Sequence, residues 1–171
     1  MDGAAGSAPS VDTAQALTAL SDNLSWLLSQ ASYVLETKLC AALDEIQVSP
    51  RAQLVLCTAL SGEHTQIELA RLVGLDKTTM VVTLDELEKA GLAERRPSKT
   101  DRRARVIHVT EAGARRAAEA DAQTQHVFSD VLAPLAPAER TALLASLGKL
   151  VAGSLTEPVP CRNPVRRRRT G

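Results

Sequence analysis

Residues 65–110 decide how this chain folds, and they read TQIELARLVGLDKTTMVVTLDELEKAGLAERRPSKTDRRARVIHVT. The spacing of apolar residues changes along this stretch. Two segments follow the period of a helix, and a third has the short β-branched runs of strands. The stretch therefore predicts two successive helices joined by a tight turn and followed by a β-hairpin.

The ends of the two predicted helices carry recognisable capping residues. Thr65 followed by Glu68 has the spacing of a capping box, and Asp76 is a suitable N-cap for the second helix. Gly74 and Gly91 can take the left-handed conformation that ends a helix. The first helix is predicted to turn inward Ile67, Leu69, Ala70 and Val73. The second is predicted to bury Met80, Leu84 and Leu87 and to expose Lys77, Thr78, Thr79, Val82 and Thr83.

The hairpin that follows is rich in cations. Ala93–Arg96 and Arg105–Val109 are its predicted strands, separated by turn-forming residues. Six basic residues lie within eleven positions: Arg95, Arg96, Lys99, Arg102, Arg103 and Arg105. A run of charge is often only a solvated face, but after two such helices it favours contact with phosphates and a narrow minor groove.

A helix-turn-helix followed by a basic hairpin is the order of a winged helix-turn-helix module. In that motif the start of the second helix meets base edges in the major groove. An ordinary antiparallel helix pair is the alternative interpretation.

Three segments of the chain resemble the MarR family of bacterial transcriptional regulators, and the likeness runs roughly from Leu17 to Val151. The segments are QIELARLVGLDKTTM, LDELEKAGLAERR and DRRARVIHVTEAG. The resemblance implies a homodimer that binds a palindromic operator, often as a repressor relieved by a small molecule or by thiol oxidation. It also implies that Asp101 is the family's wing aspartate and Arg103 the arginine that enters the minor groove.

The chain departs from the family in the middle of the second helix. Family members often carry an arginine there, whereas this chain has Val81-Val82-Thr83. Base recognition is therefore predicted to rely on Thr78, Thr79 and apolar contact with thymine methyl groups. The full set of predicted DNA contacts is Gln66, Lys77, Thr78, Thr79, Val82, Thr83, Arg95, Arg96, Lys99, Asp101, Arg102, Arg103 and Arg105.

Long helices are predicted on both sides of the DNA-binding core, which spans residues 49–110. Leucines follow the helical period from Leu17 to Leu43, and further helices start at Pro50, Glu111 and Pro137. Their apolar surface exceeds what the core can cover, so residues 14–46 and 111–153 are predicted to form a dimer interface. An intramolecular bundle is the alternative. The expected fold is mainly α: one winged helix-turn-helix domain over residues 14–153, with dimerisation helices at both ends.

Composition bears on partners and location. The chain has 171 residues and no net charge, so only the local clustering of cations points to nucleic acid. Residues 1–13 and 154–171 are expected to be disordered tails, and the Arg166–Arg169 run is open to non-specific phosphate contact. No apolar run has the length of a membrane helix, and three cysteines without ligand spacing suit a reducing compartment. We therefore expect a cytoplasmic protein with no membrane partner.

The regulatory input is less specified. By the resemblance, Trp26, Tyr33 and Cys57 are candidates to line a pocket for a small aromatic or anionic effector, with plain packing as the alternative. Peroxide-sensing relatives carry a reactive cysteine where this chain has Ser25, and Cys40 and Cys57 are predicted to be inert core residues. No metal-ligand spacing and no catalytic constellation are present, so no metal, cofactor or enzymatic activity is predicted. A thiol- or metal-responsive sensor of the same fold, or a winged-helix module that binds a protein, are the alternatives.

Overall fold

The structure, a computed structural model, describes residues 20–98, 104–157 and 159. Along the chain the elements are α1 (Leu24–Asp44), α2 (Pro50–Ala59), α3 (Gln66–Leu72), α4 (Lys77–Lys89), β1 (Ala93–Pro97), β2 (Arg105–Val109), α5 (Glu111–Leu132) and α6 (Pro137–Ala152). The predicted mainly helical fold with a two-stranded hairpin is confirmed. Two compact units divide the chain, the first ending at Phe128 and the second beginning at Ser129. None of the described helices combines the length and apolarity needed to cross a bilayer.

The two helices of the helix-turn-helix start where their capping residues predict. At α3, the Thr65 amide donates to Glu68 Oε2 at 2.7 Å, and the Glu68 amide donates back to Thr65 Oγ1 at 3.3 Å. At α4, the Thr79 amide donates to Asp76 Oδ1 at 3.0 Å. Each cap satisfies a backbone donor that has no partner inside the helix, which fixes the first residue of the helix.

Both helices also end at the predicted glycines. Gly74 and Gly91 have φ values of 67° and 69°, in the left-handed region that residues with a Cβ avoid. The Leu75 amide then bonds the Ala70 carbonyl, and the Leu92 amide bonds the Leu87 carbonyl, each at 2.9 Å. These bonds reverse the chain after each helix.

The long first helix begins later than the leucine spacing predicts. The chain turns at residues 21–23, and the Asn23 side chain accepts a hydrogen bond from the Trp26 amide at 2.9 Å. α1 therefore starts at Leu24, and the predicted stripe from Leu17 to Leu43 is not one continuous helix. An asparagine that caps a helix breaks an apolar pattern that periodicity alone reads as uninterrupted.

The core of the first unit lies where α1 to α5 and the hairpin meet. Its fully buried large side chains are Leu43, Val55, Leu56, Leu69, Met80 and Leu84. β1 and β2 pair antiparallel, with Arg95 opposite Ile107. The Ile107 amide also donates to the His64 carbonyl at 2.9 Å, and Thr65 bridges to Val106. β2 is thereby fixed to the start of α3.

Two predicted side-chain orientations are wrong. Thr83 was expected on the outward face of α4, but it is only 4% exposed, and its hydroxyl donates to the Thr79 carbonyl at 2.8 Å. With Met80, Thr83 completes an inward stripe of helical spacing that a threonine can join through its methyl group and a backbone hydrogen bond. Ile67 was expected to face inward but is 66% exposed. Two residues turn a helix by about 200°, so Ile67 and buried Leu69 face opposite sides.

Candidate nucleic-acid interface

The first half of α4 presents a small mixed surface to solvent. Lys77 and Thr78 are exposed, Thr79 is half-buried, and Val82 is 51% exposed. These four residues are called the α4 face below. It combines a cation, two hydroxyls and an aliphatic group, which are the groups that contact phosphates, base edges and thymine methyls.

The two threonines of the α4 face differ in what they can offer. The Thr79 hydroxyl donates to Asp76 Oδ2 at 2.6 Å, so its proton is already used. That bond, with the Thr79 amide bond after it, lowers the pKa of Asp76. Thr79 therefore offers only acceptor capacity, whereas the Thr78 hydroxyl, which bonds no described residue, can donate as well as accept.

Arg95, which is predicted to contact DNA, forms ion pairs with two carboxylates. Its guanidinium bonds Glu88 through Nη1 and Asp85 through Nη2, the second at 2.9 Å. Nη2 also reaches Gln66 Oε1 at 3.5 Å, and the Arg95 amide donates to Glu88 Oε1 at 2.9 Å. The side chain is 28% exposed. Asp85 and Glu88 are one helical turn apart on α4, so both face the Arg95 guanidinium. Gln66 contacts the same guanidinium from α3.

The two other described cations of the hairpin differ from each other. Arg96 is exposed and forms an ion pair with Glu94, two residues earlier on the same strand. Arg105 is exposed on β2, opposite Pro97, and no described residue pairs with its guanidinium. Arg105 is therefore the described wing cation best placed to meet a phosphate.

Four predicted contacts fall between β1 and β2 in the sequence and lie outside the described residues: Lys99, Asp101, Arg102 and Arg103. Their contact with DNA stays a prediction from the sequence.

A groove of about 260 Å³ lies between α1, α2 and the last turns of α5 in the first unit. Its lining residues are Glu36, Leu39, Leu43, Pro50, Arg51, Gln53, Leu54, Thr124 and Phe128. Trp26, Tyr33 and Cys57, the predicted pocket residues, do not line it. On α1 the groove begins at Glu36, a turn beyond Tyr33, and on α2 the lining ends at Leu54, one turn before Cys57.

Thr124 is the unusual member of this lining. The residue is 5% exposed, and among the described residues its hydroxyl has no hydrogen-bond partner. A buried hydroxyl without a partner costs free energy, because it has lost water and gained nothing in return. Such a group inside a largely apolar groove is a candidate contact for a ligand.

The cysteines do not share one environment. Burial, followed by the charge of Asp121, raises the pKa of the Cys57 thiol, and a hydrogen bond from Gln53 opposes this in part. A thiol that stays protonated is a poor nucleophile. Cys40 is exposed, so the prediction that it is a core residue is wrong. Within the described ranges, no three His, Cys, Asp or Glu side chains are grouped to hold a metal ion.

The order of these elements, a helix-turn-helix whose second helix is followed by a β-hairpin, defines a winged-helix DNA-binding domain. Residues 50–104, from the start of α2 to the residue before β2, match the family model described as the MarR family. Over these residues the chain matches a family of transcriptional regulators, whose members are not enzymes.

Solved structures with the same fold include regulators with DNA or a small molecule bound. One match is the crystal structure of CouR from Rhodococcus jostii RHA1 bound to p-coumaroyl-CoA, at 26% sequence identity. The match covers 82% of this chain and 98% of that one, with a TM-score of 0.72. CouR bound to a 23-mer DNA duplex matches at 26% identity over 79% of this chain and 96% of that one, also with a TM-score of 0.72. Wild-type MarR from E. coli shares the fold at 22% identity over 75% and 96% of the two chains, with a TM-score of 0.64.

Proposed function

We propose that the protein is a repressor that binds a palindromic operator as a homodimer and is released by a small-molecule effector. The observation that carries DNA binding is the α4 face, where Lys77, Thr78 and Val82 are exposed on the first half of the second helix. In a helix-turn-helix this is the part that enters the major groove. Arg105 on β2 supplies a cation for the DNA backbone.

Assembly as a homodimer is supported by apolar side chains that α1 leaves exposed. Leu24, Leu27 and Val34 are separated by three and seven residues, so they lie on one side of the helix. In the second unit, Leu144 and Val151 of α6 are likewise exposed and seven residues apart. A second copy of the same chain can bury such stripes through a two-fold interface. Operator half-sites would then lie about one helical turn, roughly 10 bp, apart.

Release by a small molecule is supported by the groove between α1, α2 and α5. A dry cavity of about 150 Å³ accommodates benzene, and this groove measures about 260 Å³. Its lining is mostly apolar and includes the Thr124 hydroxyl, which has no hydrogen-bond partner among the described residues. We expect a single substituted aromatic ring whose polar group hydrogen-bonds to Thr124. The related CouR, crystallised with p-coumaroyl-CoA, is in keeping with a ligand of this type.

The proposed function is tested by selecting duplexes from a random-sequence DNA library with the purified protein. The selected sequences should converge on a near-palindrome, and a gel shift should show two protein chains on each duplex. Duplexes selected in parallel with a Thr78→Ala variant should converge less strictly at the bases next to α4. No convergence by the wild-type protein, or equal affinity for selected and unrelated duplexes, would refute the proposal.

A further inference from the structure

We infer that Arg95 is a positioning residue, which holds the wing at a fixed angle to α4 and does not itself contact DNA. The inference rests on the proposed DNA binding, and it gives one cation of the wing a positioning role in place of a direct contact with DNA. It follows from what the Arg95 guanidinium contacts, from how the backbone of β1 is held, and from the charge of the cluster.

The Arg95 side chain connects three elements of the fold. Arg95 lies on β1, Asp85 and Glu88 lie on α4, and Gln66 lies at the start of α3. One guanidinium therefore joins the three elements of the module that surround the α4 face. Arginine is suited to this because its planar fork directs several N–H donors at once.

The backbone of β1 is held to α4 at the same residue. The Arg95 amide points away from β2 and donates to Glu88 Oε1 at 2.9 Å, while the other oxygen of Glu88 accepts from the Arg95 side chain. The Glu88 carboxylate thus holds both the main chain and the side chain of one strand residue. A shift of β1 relative to α4 would break both bonds together.

Negative charge exceeds positive charge in the cluster around Arg95. Two carboxylates, Asp85 and Glu88, face the single positive charge of Arg95. The cluster carries no surplus positive charge to offer a phosphate. Arg96 and Arg105, the other described cations of the hairpin, are more exposed than Arg95 and better placed for that contact.

The test compares Arg95→Met with Arg96→Met on a duplex selected by the wild-type protein, flanked by either A·T or G·C pairs. If the wing is misplaced, Arg95→Met should bind the A·T-flanked duplex about tenfold more weakly than the wild type does, and it should lose the preference for A·T flanks. The slope of log affinity against log salt should remain that of the wild type. A phosphate contact would instead lower the slope by about 0.9, so a lower slope with the flank preference retained would overturn the inference.

Glu88→Gln provides a second, milder test should Arg95→Met fail to fold. It keeps an acceptor for the Arg95 amide and removes the ion pair with Glu88 while the pair with Asp85 remains, so it should reduce flank preference without changing the salt slope. A Glu88→Gln variant that retains the full flank preference would contradict the inference. Thermal unfolding of each variant confirms that it is folded.

A triple variant separates positioning from simple masking of negative charge. Arg95→Met combined with Asp85→Asn and Glu88→Gln removes the cation and both carboxylates, so no unbalanced charge remains. Under the inference this variant binds as weakly as Arg95→Met. Recovery of wild-type affinity would show that Arg95 only neutralises its neighbours. Failure of the wild-type protein to select any duplex would instead refute the proposed function.

Discussion

α1 and α4 belong to the same unit and both bury one side, but they expose different chemistry. α1 presents Leu24, Leu27 and Val34 to solvent, whereas α4 presents Lys77 and Thr78. Exposed apolar stripes are stabilised by protein contact that excludes water, and exposed cations and hydroxyls are suited to a hydrated, charged partner. The comparison shows that the kind of side chain left exposed, more than exposure itself, separates a surface for another protein chain from a surface for DNA.

The largest expected effect comes from placing charge on the exposed side of α1. Leu27→Glu combined with Val34→Glu should yield monomers, because two carboxylates on each chain would face each other across a two-fold interface. Operator affinity should then fall on the order of a hundredfold or more, since one chain contacts only one half-site. Light scattering measures the mass, and fluorescence anisotropy measures the affinity.

Ser29→Glu is the matched control for this change, since it adds a carboxylate at an exposed position of α1 that lies about 200° around the helix from Leu27. It should leave both mass and affinity unchanged. A double variant that remains dimeric would show that this side of α1 is not the interface.

The next effect concerns the exposed cation of β2. Arg105→Ala should reduce the slope of log affinity against log salt by about 0.9 and weaken all sequences alike, as expected for a phosphate contact. Arg96→Ala should change the slope less, because Arg96 is already paired with Glu94. Salt titrations of both variants measure this difference. Equal slopes for Arg105→Ala and the wild type would remove β2 from the DNA surface.

A smaller effect, a gain in stability, is expected from a change in the groove. Thr124→Val removes a buried hydroxyl that has no described partner while keeping the shape, so it should raise the free energy of unfolding by about 1 kcal/mol. Thr83→Val is the matched control, since the Thr83 hydroxyl donates to the Thr79 carbonyl and its loss should lower stability. Urea unfolding compares the two. Destabilisation by Thr124→Val would mean that the hydroxyl is satisfied.

The smallest expected effect is the pH response of Cys57. Its pKa is raised above the ordinary value of 9.0, chiefly by burial, so the folded state holds the proton more tightly than the unfolded state. Stability from this group is present below that ordinary value and is lost as pH rises through the folded pKa. The free energy of unfolding, measured from neutral pH to above pH 9.0, should therefore fall more steeply for the wild type than for Cys57→Ser.

Mild peroxide at neutral pH should leave operator binding intact. A loss of binding on oxidation that the Cys57→Ser variant abolishes would contradict this prediction.

Much of the fold could be predicted from the sequence because its signals are local. The caps at Thr65 and Asp76 and the glycines at Gly74 and Gly91 act on neighbouring backbone groups, so a short segment contains the whole cause. The exposed Lys77 was found for the same reason, because the cap at Asp76 fixes the first turn of α4.

The orientation of Arg95 could not be predicted in this way. Its partners lie 7, 10 and 29 residues away along the chain, on two other elements. A count of cations in the hairpin contains no information on the carboxylates that face them. The groove could not be predicted for a similar reason, since Thr124 of α5 lines it together with residues of α1 and α2 that are distant along the chain.

Entry of the first half of α4 into DNA is tested most directly by the two lysines at opposite ends of this helix. Lys77 lies in the first turn and Lys89 in the last, and both are exposed. Fluorescence anisotropy with a selected duplex should show that Lys77→Glu loses about tenfold or more in affinity, whereas Lys89→Glu binds nearly as the wild type does. Equal losses, or a greater loss for Lys89→Glu, would contradict the account.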